Sequence, residues 1–105
     1  MSDQDFFPDS TLELIIRATG GELVEYRGQE CHFHVETPTA EQLLAASIEV
    51  RGIAKMLIGP TGAFPNLEEN TLITVKGDDY IVADWRHPED GGVIYIFLKR
   101  NTTRQ

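Results

Sequence analysis

The hydrophobic positions of this chain change rhythm once, early. Between Ser10 and Ala18 the spacing is helical: Leu12, Ile15 and Ile16 fall on one face, and Leu14 stands off it, where a neighbouring subunit would meet it. Ser10-x-x-Glu13 has capping-box spacing, and Gly20-Gly21 ends the run. From Glu22 the period becomes two. A tight turn at Gly28-Gln29 would set Arg27 opposite Glu30, Tyr26 opposite Cys31, Glu25 opposite His32 and Val24 opposite Phe33. Opposite charges then face each other and apolar residues face apolar ones, each favourable pair contributing roughly 0.2–1 kcal/mol. Cys31, Phe33 and Val35 point inward; Glu30, His32, His34 and Glu36 point outward. In the connection 37–47, Thr39-x-x-Gln42 has the spacing to cap one helical turn.

Alternation resumes from Ser47 to Ile58. Ile48, Val50, Gly52, Ala54, Met56 and Ile58 share one face, and Glu49, Arg51 and Lys55 the other. Gly52 in mid-run implies a bend or bulge. Residues 59–70 form a turn-rich loop, near the length of roughly 12 residues beyond which loops in compact domains are usually functional. Phe64 and Leu67 in that loop need a cover. Thr71–Lys76 reads as a strand, Gly77-Asp78 as a turn pairing Lys76 with Asp79 and Val75 with Tyr80, and Tyr80–His87 as the return. Pro88–Gly92 is a turn, and Val93–Leu98 a closing strand that is apolar on both faces. Such a strand is central in a sheet or covered by another subunit. The expected fold is mainly β, a small barrel or sandwich of about six strands with one N-terminal α-helix. A mobile tail, 1–9, precedes a single domain, 10–100, and a frayed tail, 101–105, follows it.

Composition narrows the partners. Seventeen acidic against nine basic residues leave a net charge of −8, which disfavours nucleic-acid phosphates and anionic lipid. One cysteine cannot form an internal disulfide. No apolar run is long enough to span a bilayer, and the N-terminus lacks the basic-then-apolar order of a signal peptide. These features predict a soluble protein made in a reducing cytoplasm, with no membrane partner and no tight nucleic-acid binding.

Glu30–Glu36, E-C-H-F-H-V-E, is the most suggestive stretch for chemistry. His32 and His34 lie on one strand face and could share a metal ion, with His87 or a glutamate completing the shell. Cupins use an H-x-H pair, but their pattern places a glutamate four or five residues on and adds a second motif. Here the glutamate comes two residues on and no late motif follows. A solvated strand face explains the stripe without a metal. Cys31 points away from the histidines, as a small core residue would. Nucleophile, base and orienting group occur in no recognisable frame, G-x-S-x-G is absent, and Gly59-Pro60-Thr61-Gly62 lacks the lysine of a phosphate loop. Trp85, Tyr95 and Phe97 could stack bases, but no basic groove accompanies them. The expectation is no enzyme, no cofactor and no metal.

The segment from Asn70 to Arg100 resembles the C-terminal half of lambda-type head–tail joining (tail attachment) proteins of tailed bacteriophages and prophages. The matching pieces are Thr71–Lys76, Gly77 with Tyr80, Ile81–Asp84, the turn Pro88–Gly92 and Tyr95–Arg100. The histidine stripe is outside that pattern. The resemblance implies a structural virion protein, a head–tail connector forming an oligomeric ring at the neck. Its partners would be copies of itself, portal or head-completion proteins and tail proteins, and it would be made in the host cytoplasm. Phe6 and Phe7 in the tail, with Phe64 and Leu67 in the loop, are then the expected partner-binding residues. The low-lying alternative is a small metal-dependent or ligand-binding barrel built on His32 and His34.

Overall fold

Among the described residues, two short helices and six strands follow one another: α1 (Asp9–Ala18), β1 (Glu22–Tyr26), β2 (Gln29–Glu36), α2 (Ala40–Ala45), β3 (Ile53–Pro60), β4 (Leu72–Val75), β5 (Asp78–Arg86) and β6 (Val93–Arg100). The computed structural model describes residues 9–48, 52–87 and 92–101. The strands close into a barrel in the order β1-β2-β3-β6-β5-β4, with every neighbouring pair antiparallel. Closure uses long strands shared between neighbours. The first part of β2 pairs with β1 and its last three residues pair with β3. Likewise β5 pairs first with β4 and then with β6. The mainly β class and the helix before the strands are as the periodicity predicts, and barrel rather than sandwich is the outcome.

Both hairpin turns sit one residue earlier than expected. The turn residues are Arg27-Gly28 and Lys76-Gly77, each pair at positive φ (52° and 85°, 53° and 86°). This is the type I′ geometry, in which glycine takes the second place rather than the first. Moving a turn by one residue shifts each partner by two, so the faces keep their identity while the pairs change. Cys31 and Phe33 remain inward and His32 and His34 outward. Glu25, however, stands opposite Glu30 instead of His32, and His32 stands opposite Leu23. The directly opposed pairs therefore differ from those expected, and Arg27 pairs with Glu68 of the distant loop at 3.0 Å.

The inward faces supply the main core, including Val24, Phe33, Leu57, Val82, Ile96 and Leu98. Gly59 lies directly against Phe33, whose ring would clash with a Cβ at this position. Strand β3 begins at Ile53, not Ser47; Ile48 follows the turn at Ala46-Ser47 that ends α2, and 49–51 lie outside the described residues. The bend expected at Gly52 is present, with Gly52 at φ 89° and a bulge between Ile53 and Lys55. Residues Gly59 and Pro60 belong to the strand rather than to the loop.

Helix α1 already includes Asp9 and Ser10, so Asp9 is not part of a tail and Ser10 is not the N-cap. Its end is a Schellman turn: Gly20, at φ 98°, donates to Arg17 O, and Gly21 donates to Ile16 O. Of the predicted stripe, Ile16 is buried while Ile15 is exposed along with Leu14. A helix lying on the convex outside of a barrel touches it along a narrower line than one packed on a flat sheet. The capping box at Thr39 forms as its spacing predicts, and α2 continues through Ala45.

The loop 61–71 folds back over one end of the barrel. Phe64 is only 3% exposed, stacked on Phe33 at 5.4 Å and tilted against Tyr26 at 5.5 Å. Leu67 packs half-buried on the same core. The Tyr26 hydroxyl ties the loop down, accepting from Glu68 N at 3.1 Å and lying 3.0 Å from Thr71 Oγ1. The loop phenylalanine is thus a core residue of its own barrel, a correction to its expected partner-binding role. The closing strand β6 is central, between β3 and β5, and its outer-face Phe97 is buried by Leu43, Ile48 and Met56 of the same chain. No second subunit is required to cover it.

Candidate functional site

Strands β2, β3, β6 and β5 carry two side-chain rows across their outer face. One runs His34–Ile58–Tyr95–Arg86 and the other Glu36–Met56–Phe97–Asp84. Each row has polar ends and an apolar middle. The middles exist because β3 and β6 are apolar on both faces: Leu57 and Ile96 fill the barrel, and Met56, Ile58, Tyr95 and Phe97 remain outside. A short helix on this side turns the outer patch into a groove.

That helix, α2, is held at both ends. At its start, Thr39 and Gln42 exchange hydrogen bonds in the capping box. At its end, the Arg86 guanidinium donates to Ala46 O at 3.1 Å and Ser47 O at 3.4 Å, where cationic groups complement the helix dipole. Asp84 holds the same guanidinium at 2.8 Å, and Trp85 O accepts from it at 2.8 Å. Leu43 anchors the helix to Met56 and Phe97. Beside it lies a groove of about 530 Å³, floored by Met56, Ile58, Tyr95 and Phe97, walled by Ala45 and Ala46, and rimmed by Glu36, Gln42, Arg86 and His87. Its volume and largely apolar lining fall in the range of ligand and peptide sites.

The predicted site residues are scattered relative to this groove. Phe6 and Phe7 lie outside the described residues. Phe64 and Leu67 plug the barrel end, where with Trp85, His87 and Ile94 they line a smaller cavity of about 120 Å³. His32 and His34 share the outer face of β2, as expected, and His34 Nε2 lies 3.1 Å from Thr19 Oγ1 at the end of α1. His87 is elsewhere: Thr61 Oγ1 lies 2.8 Å from its Nδ1. The row from His34 to Arg86 crosses three strand spacings, roughly 14 Å, so His87 is not brought to the pair. Among the described residues no three His, Cys, Asp or Glu side chains are gathered as a metal would need. Nor do Trp85, Tyr95 and Phe97 form one stacking platform. Trp85 packs on the barrel core, whereas Tyr95 and Phe97 face the groove.

The groove itself was not singled out from sequence, although its signal is there. A run apolar on both faces in two neighbouring strands leaves an outer apolar patch, and a capped short helix just before one of them supplies a wall. The long separation of Ala46 from Arg86 along the chain hid the latch. No helix of the described chain is long and apolar enough to cross a membrane. No protein-family model matches the chain, and no significant match was found among curated proteins or solved structures.

Proposed function

We propose that this protein is a structural subunit of a tailed-phage or prophage neck, a head–tail connector that assembles as a ring between portal and tail proteins. The reading rests first on the resemblance of residues 70–100 to such proteins. The observation of this structure that supports it best is the combination of a closed barrel with apolar side chains left on its helices. Closure removes free sheet edges, so strand addition is not open to it and contacts must be made through helices, loops and tails. Leu14 and Ile15 on α1 and Leu44 on α2 are 55%, 43% and 67% exposed. Helical leucines turned to solvent favour a surface that is covered in an assembly.

Two features that would have favoured a ring no longer argue for it, since β6 and Phe64 are covered within one chain. The acidic balance remains consistent with a wall that DNA passes without being held. The test is genetic and morphological. The coding sequence is deleted from the source phage or prophage, particle production is induced, and the lysate is viewed by electron microscopy. The expected outcome is DNA-filled heads and free tails in place of joined particles, with joining restored by the gene in trans. Joined, infectious particles in the deletion strain would overturn the proposal.

A further inference from the structure

We infer that the groove beside α2 receives the N-terminal arm of a second copy of this chain, with Phe6 and Phe7 as the anchoring side chains. The inference rests on the assembly reading above and names the contact that would carry it.

The groove has two unlike walls. One is the sheet, with Ile58 and Tyr95 half-buried and open to it; the other is α2, presenting Ala45 and Ala46. An extended segment suits such a slot, because its successive side chains point to opposite sides. The arm has the sequence M-S-D-Q-D-F-F-P, and Asp9 already belongs to α1. Pro8 restricts the residue before it to extended conformations, so Phe7 is biased toward the geometry the slot accepts. Adjacent phenylalanines in an extended chain would then serve one wall each. An aromatic side chain buries about 150–250 Å², enough for two to give a usable anchor.

Charge agrees with this orientation. The arm carries Asp3 and Asp5 and no basic side chain. The basic groups lining the groove are Arg86 and His87, on one rim, with Glu36 on the other. An arm lying with its aspartates toward β5 avoids the glutamate and comes beside Arg86, whose guanidinium Asp84 already holds.

An arm on one surface and a groove on another make a heterologous contact, which propagates from copy to copy and forms a ring when the rotation between copies closes. Docking of the arm on its own barrel would assemble nothing.

The test uses the full-length chain and its Phe6→Ala, Phe7→Ala double variant, which leaves every residue of the six strands and two helices as it is. Amide resonances of residues 42–46, 56–58, 86–87 and 95–97 are followed by NMR from micromolar to millimolar protein. The wild type is expected to show shifts in these residues that grow with concentration, and the variant to lose them. A synthetic peptide of residues 1–10, added to the variant, is expected to restore the same shifts. Shifts that differ between wild type and variant but do not depend on concentration would place the arm on its own copy and overturn the inference. Identical groove resonances in both proteins, unmoved by the peptide, would overturn it as well. Neither result bears on the morphology of a deletion strain, so the neck reading and the arm contact can fail separately.

Discussion

Glu25 and Glu30 face each other across the first hairpin. Like charges directly opposite on an antiparallel pair destabilise it, and nothing in the amino-acid order alone announces the clash. The order suggests the reverse, because a turn drawn one residue later pairs Glu25 with His32 and Arg27 with Glu30. The backbone decides: Arg27 and Gly28 both take positive φ, and a type I′ turn matches the twist of the strands it joins. One testable consequence is that Glu30→Lys should stabilise the protein, by roughly 0.2–1 kcal/mol. Urea denaturation would show this as a raised midpoint with an unchanged slope. If the turn lay instead at Gly28-Gln29, Glu30 would face Arg27, and the substitution would lower the midpoint.

At the scale of elements, α2 is too short to persist alone, since isolated helices under about 12–15 residues are marginal in water. It exists because three contacts meet on it: the Thr39 box, the Leu43 anchor and the Arg86 latch. Arg86→Met keeps the length of the side chain and removes its hydrogen bonds to Ala46 O and Ser47 O. The loss should cost about 1–2 kcal/mol, less than a buried charged contact would, because Arg86 is partly exposed. Hydrogen exchange should locate the damage. The amides of Leu43 and Ala46, which donate within α2, are expected to exchange roughly ten-fold faster, while that of Leu57 in the barrel core is unchanged. Equal loss of protection in the core would mean that the latch holds the barrel and not the helix. The groove is an element-scale feature too, made where a capped helix, two doubly apolar strands and one arginine come together.

For the whole molecule, the deciding fact is closure. Six strands share one core, and the loop 61–71 seals an end of it with Phe64. Phe64→Ala should therefore behave as a core truncation, costing about 3–5 kcal/mol in a thermal or urea melt. A loop residue kept only for docking would leave the melt unaltered. The elements were largely legible in the amino-acid order: a helix ended by paired glycines, two hairpins turned at a glycine, a capping box at Thr39, and a closing strand apolar on both faces. The faces of β1 and β2 were legible as well, because a two-residue change of pairing leaves a period of two intact; on β3 they were not, since Met56 and Ile58 of its apolar row face outward and Leu57 fills the barrel. The amino-acid order by itself determined which segments are helix and strand and, for the first hairpin, which side seeks the core, since both follow from local periodicity and turn chemistry. Tertiary structure alone decided who covers whom: β6 by α2, Phe64 by Phe33, Ala46 and Ser47 by Arg86, and His87 parted from His32 and His34. Those choices depend on how the strands curve and meet around a closed barrel, joining residues far apart in the chain through distances that no local pattern encodes.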